Sequence, residues 1–82
     1  MKLRNIDEVN AFVDAIEKCK KDVYLRDRRG ESLNLKSAIC RYVGIGKLVS
    51  GEGETLELFC DSREDEQNFF RFFGSYPEVI AC

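Results

Sequence analysis

The chain has 82 residues and not one histidine. Imidazole is the side chain that most often moves protons, activates serine or cysteine and ligates zinc near neutral pH. Its absence therefore removes the commonest routes to nucleophilic catalysis and to a mixed cysteine–histidine metal site. Close cysteine pairs are missing too: Cys19, Cys40, Cys60 and Cys82 stand about twenty residues apart, unlike the ligands of a zinc site or the pair of a redox motif. The expectation is no metal, no cofactor and reduced thiols, some of them packed as small hydrophobes. No apolar run approaches the roughly 18 residues of a membrane span. The start, Met1-Lys2-Leu3-Arg4-Asn5, lacks the apolar centre of a signal peptide, so the expected compartment is the cytoplasm. Asp61, Glu64, Asp65 and Glu66 have no base beside them in sequence, and Gly44-Ile45-Gly46-Lys47 is only half of a phosphate-binding loop and follows a helical segment, so the chain is expected not to be an enzyme.

What is present suffices for one small folded unit, expected to span 1–82: 44% of the residues are hydrophobic, six are Phe and three Tyr, and 34% are charged. The net charge is only −2, but it is uneven. Between Lys18 and Lys47 nine basic residues face three acidic ones, and the remainder of the chain carries −8. That basic centre suits an anionic partner or, more plainly, strand edges and helix ends kept soluble.

Val9, Phe12, Val13, Ile16 and Cys19 recur at three- and four-residue spacing, which predicts an amphipathic helix over about residues 6–20. Asn5 is its expected N-cap, with Glu8 completing a capping box. Ahead of it, Met1 to Arg4 is enough for a short strand. Val23 and Leu25 alternate with Tyr24 and Arg26, and Leu33 and Leu35 repeat the period after Asp27-Arg28-Arg29-Gly30, so the two runs predict a hairpin. Ser37 opens a short helix to about Val43, expected to stop at Gly44 and Gly46. After a loop holding Gly51 and Gly53, Thr55 to Cys60 predicts a strand, and Asp61 or Ser62 caps a last helix over about 63–73 that Gly74 ends. The tail from Tyr76 to Cys82 is apolar enough to pack. The expected fold is α+β, a two-layer open-faced sandwich with an antiparallel four-stranded sheet covered on one face by three helices.

This order and the residues at two helix starts resemble the HPr family of phosphotransferase-system phosphocarriers. Gly30 with Leu33-Asn34-Leu35-Lys36-Ser37 looks like the family's turn glycine, third strand and Lys-Ser regulatory serine; Glu64-Asp65-Glu66-Gln67 resembles the opening of its last helix, and Gly46, Gly51 and Gly53 fall near its later glycines. The resemblance places the family's phosphoryl-accepting histidine at Asn5 and its arginine near Asp7, and neither residue can replace the original. An amide does not accept a phosphoryl group as imidazole does, and Asp7 repels phosphate. What the resemblance implies is a regulatory or protein-binding module without histidine phosphotransfer, phosphorylated at Ser37 by a kinase and read by a regulator through Lys36, Ala38, Ile39 and Arg41. Against this stands the plainer role of serine as an N-cap, worth roughly 1 kcal/mol over alanine. Where the family carries a large aliphatic residue after the serine, this chain has Ala38. Whether Tyr42 and Val43 face inward or outward is left open by their spacing from Ile39.

Four phenylalanines in the five positions 69–73 exceed what one helix face takes inward, so at least one is expected on a flank; the plainer reading is an aromatic-rich core that also covers Tyr76, the sharper one a homodimer or partner surface centred on Phe70. Monomer and homodimer both remain open. The alternative function is anion or nucleic-acid binding by the Lys20–Arg29 hairpin region, through Lys20, Lys21, Arg26, Arg28 and Arg29. A pI near 5.1 and the lack of a nucleic-acid motif count against it.

Overall fold

The computed structural model describes residues 1–52 and 56–81. Gly53, Thr55 and Cys82, expected in a loop, at a strand start and among the free thiols, lie outside the described residues. In chain order the elements are α1 (Ile6–Lys18), β1 (Val23–Arg26), β2 (Ser32–Asn34), α2 (Ala38–Ser50), β3 (Glu57–Cys60), α3 (Arg63–Ser75) and the single-turn α4 (Glu78–Ala81). The fold is a mixed α+β arrangement of three 13-residue helices and a three-stranded antiparallel sheet of order β2-β1-β3.

The expected fourth strand at Met1 to Arg4 does not form. The backbone amides of Lys2 and Leu3 donate to the carbonyls of Val79 (2.9 Å) and Leu48 (3.2 Å), at the ends of α4 and α2. Helix C-termini leave carbonyls without intrahelical partners, and this segment answers two of them instead of adding to the sheet. Leu3 is 1% exposed, so the segment is held by burial as well.

Asn5 caps α1 as expected, its Oδ1 accepting the Glu8 amide at 2.9 Å. The Glu8 carboxylate reaches one residue further back than a capping box requires, accepting the Arg4 amide at 2.8 Å and the Arg4 guanidinium at 3.1 Å. Asp27 organises the hairpin turn: its carboxylate accepts the amides of Arg29 and Glu31, and Gly30 takes the left-handed φ of 87° that closes it. In β1, Val23 and Leu25 are buried while Tyr24 and Arg26 face outward, and in β3 Leu58 and Cys60 face the core side while Glu57 and Phe59 are exposed.

α2 is longer than expected, running through Gly44 and Gly46 to Ser50 and ending at Gly51, whose φ of 93° suits the left-handed cap. Gly44 does not stop the helix because it serves as its contact with the sheet. A Cβ there would lie 2.9 Å from Leu35 Cδ2 and 3.0 Å from Leu25 Cδ1. The roughly 1 kcal/mol that glycine costs inside a helix is offset by this close approach and by the burial of Leu48 one turn on. Ser62 is the residue that caps α3, accepting the Glu64 amide at 3.2 Å.

One core joins these elements: Phe12, Ala15 and Ile16 of α1, Val23 and Leu25 of β1, Leu48 of α2, Phe69 and Phe72 of α3, Val79 of α4, and Leu3, Cys19, Leu35 and Leu56 from the connecting segments. Phe12 meets Phe69 and Phe72 with ring centroids 5.8 and 5.7 Å apart, tilted as aromatic pairs prefer. Asp65, 1% exposed, accepts the amides of Lys20 (3.0 Å) and Lys21 (2.8 Å), so the turn between α1 and β1 is pinned to the start of α3.

Candidate functional site

The segment from Asn34 to Ser37 turns β2 into α2. Asn34 Oδ1 accepts the Lys36 amide at 3.0 Å, and the Asn34 carbonyl accepts the Ser37 amide at 3.0 Å. Ser37 stands in the N-cap position with extended backbone, and its carbonyl accepts the Arg41 amide at 2.8 Å. Its side chain, however, is exposed and makes no capping hydrogen bond. Ser62 and Asn5 do what a capping residue does, and Ser37 does not.

The electrostatics of this helix start differ from those of its neighbours. The first turns of α1 and α3 carry Asp7 and Glu8, and Glu64, Asp65 and Glu66; that of α2 carries no acid. Negative charge at Ser37 would meet the positive end of the α2 dipole without a carboxylate in the same turn.

Lys36, expected to face a partner, is turned inward. Its ammonium donates to the carbonyls of Ile16 (3.1 Å) and Cys19 (2.5 Å), closing the end of α1. Arg41 is partly committed as well: Nε donates to the Leu35 carbonyl at 3.0 Å and the guanidinium pairs with Glu17 at 3.5 Å. Both residues position α2 against α1. Ala38 and Ile39 face solvent, and so do the two residues whose direction the spacing did not settle: Ile39 is 77% exposed, Tyr42 81% and Val43 45%. With Val49 they form an apolar outer face on α2, opposite the buried pair Gly44 and Leu48. Beside it runs a groove lined by Val13 and Glu17 of α1 and by Ala38, Arg41, Tyr42 and Ile45 of α2.

Sequence spacing missed this face because α2 is apolar on both sides. With the helix stopped at Val43, no buried pair was available to orient the wheel; the four-residue step from Gly44 to Leu48 is the signal that orients it. Phe70, as expected, stands on the flank of α3 at 62% exposed, while Phe69 and Phe72 are buried. It is on a different element from the α2 face.

Asn5, where the resemblance puts the missing histidine, is exposed and committed to capping α1. The basic hairpin is of mixed sign: Arg28, Arg29 and Lys47 share one depression with Asp27, Glu31 and Glu52, and the Arg26 guanidinium lies 4.8 Å from the Phe59 ring centroid. Cys19, Cys40 and Cys60 are free thiols. Cys19 Sγ donates to the Ala15 carbonyl at 3.2 Å, and burial pushes both Cys19 and Cys60 up, Cys60 to about 12, so at neutral pH these two are thiols, not thiolates. Among the described residues no cluster of carboxylate and thiol ligands could hold a metal ion, and no helix is long and apolar enough to cross a membrane.

Comparison with protein-family models, with curated proteins and with solved structures returns no match.

Proposed function

We propose that the chain is an HPr-like protein-binding module without histidine phosphotransfer, that its contact face is the outer side of α2, and that Ser37 at the head of that face is its switch. The observation that carries this is the pairing of an uncapped, exposed Ser37 hydroxyl with Ile39, Tyr42 and Val43 standing in solvent on the same helix. An exposed apolar stripe costs solubility and serves best as a contact. The hydroxyl adds nothing to helix stability as a cap, which leaves it open to modification.

The HPr-like reading of the fold goes with it: a two-layer α+β sandwich in which helix, hairpin, helix, strand and helix keep the family's order and the first strand is missing. Phosphate on Ser37 would bring a charge of roughly −1.5 to −2 to the amides of the first α2 turn, gaining about 0.3–1 kcal/mol from the dipole. The helix would therefore tolerate modification, and the regulator would read a new anion beside an apolar stripe. No enzymatic activity and no cofactor belong to this reading, and its setting is the cytoplasm.

The test is incubation of the folded chain with ATP and an HPr kinase, followed by mass spectrometry. One added phosphate on the peptide holding Ser37, lost in Ser37→Ala, is the expected result. An unlabelled chain beside an ordinary HPr labelled in the same tube would remove the switch.

A further inference from the structure

β3 pairs with β1 on one side only, and among the described residues no strand lies on its other side. An edge strand presents backbone N–H and C=O groups to any extended chain, and proteins commonly blunt such edges with lysine, proline or a covering segment. Glu57–Cys60 contains neither lysine nor proline. Its core-side residues Leu58 and Cys60 are only partly covered. They form one wall of an apolar groove whose other wall is α3, through Phe69, Phe70 and Phe73, with Phe59 at the lip. The core thus runs out to the sheet edge and stops there.

The rim determines what charge could complete it. Glu66 lines the groove, Glu57 lies on β3 and Asp61 follows its last residue; all three are exposed. Asp65, Glu66 and Asp61 all bear on the Cys60 thiol, adding to the effect of burial. Arg63 lies one turn before Glu66 on α3 and is exposed. A second copy paired antiparallel through its own β3, in the register that sets Phe59 beside Phe59, would bring Glu57 of each chain beside Asp61 of the other, which is repulsive. A basic strand instead meets Glu57 and Asp61 with opposite charge, while Arg26 of β1, opposite Glu57 and over the Phe59 ring, is a cation on that face.

We propose that the β3 edge is a strand-addition site that takes an extended segment of another protein, one alternating apolar residues with lysine or arginine, as the fourth strand of the sheet. The added backbone pairs with β3, its apolar side chains enter the groove against Phe69, Phe70 and Phe73, and its bases, on the opposite face of the sheet, meet Glu57 and Asp61. Cys60, held as a thiol, is a packing wall of that groove.

The probe is an acetylated, amidated octapeptide alternating valine with lysine, titrated into the nitrogen-15-labelled chain. Two versions carry N-methyl groups on alternate amides, one version for each edge, and a third replaces lysine with glutamate. Expected are shifts confined to β3 and α3, binding abolished by methylation of one edge and kept with the other, and affinity about tenfold weaker for the glutamate peptide, a difference of about 1.4 kcal/mol. Phe70→Ala, at an exposed position that leaves the core intact, weakens the lysine peptide severalfold. The proposal is overturned by unshifted β3 amides at millimolar peptide, by equal binding of both methylated versions, by a glutamate peptide that binds as well as the lysine one, or by a chain that sediments as a dimer with its β3 amides already protected.

Discussion

At the scale of single residues, two glycines two positions apart in α2 have opposite roles. A Cβ at Gly44 would press on Leu35 and Leu25, both buried in the core, whereas one at Gly46 would meet nothing within 4 Å. Gly46→Ala should therefore stabilise the chain by about 0.5–1 kcal/mol through helix propensity alone. Gly44→Ala gains the same propensity but overpacks the helix–sheet contact, at a cost of about 1–3 kcal/mol, and should come out less stable than wild type. Urea unfolding of the two variants checks this, and equal midpoints would mean that α2 does not approach the sheet at Gly44. The same pair explains why the length of α2 was not legible in the sequence. Glycine reads as a stop, and only the neighbouring sheet reveals that one of them is there for the space it leaves. Asp65 shows the same limit: its spacing marks a helix-start acid, yet its carboxylate holds two amides more than forty positions away.

At the scale of elements, α1 and the hairpin are set by local signals, whereas the Ser37 cap and the end of α2 are not. Val9, Phe12, Val13 and Ile16 with the Asn5 cap mark α1, whose expected end lies two residues past Lys18, and the alternation of Val23, Leu25 and Leu33 around Asp27 to Gly30 marks the hairpin. The segment Met1 to Arg4 is too short to show a period, and its partners are helix ends elsewhere in the chain, so its departure from a strand could not be read. Here the electrostatics make a testable statement. The Arg4 side chain, then its backbone amide, hold the Glu8 carboxyl below the usual range, Arg4 is raised in turn chiefly by Glu8, and Arg4 also pairs with Glu78 of α4. A carboxyl with a lower pKa folded than unfolded adds stability that is present above the unfolded value, about 4.3, and is lost as pH falls through the folded one. Glu8→Gln should therefore be less stable than wild type at pH 7, and the gap should narrow steadily below about pH 4. Chemical denaturation from pH 7 to pH 3 measures it; a gap that is constant across that range would deny the linkage.

At the scale of the whole molecule, the chain joins one aromatic-rich core to two uncovered apolar surfaces, the outer face of α2 and the groove between β3 and α3. The resemblance drawn from Lys36-Ser37 pointed to the first of these by position, but the sequence could not say that Lys36 turns inward to close α1, or that Tyr42 and Val43 turn out. Those directions depend on how α2 lies across the sheet, which Gly44 and Leu48 set. The central claim is that the α2 face and the Ser37 side chain stand open in the folded chain. Nuclear magnetic resonance with a soluble paramagnetic agent tests it most directly, because line broadening falls off steeply with distance from solvent. The prediction is strong broadening of the Ser37, Ile39 and Tyr42 side-chain signals, comparable to Phe70, with Leu48 and Leu35 spared; Ile39 and Tyr42 signals as protected as Leu48 would contradict it.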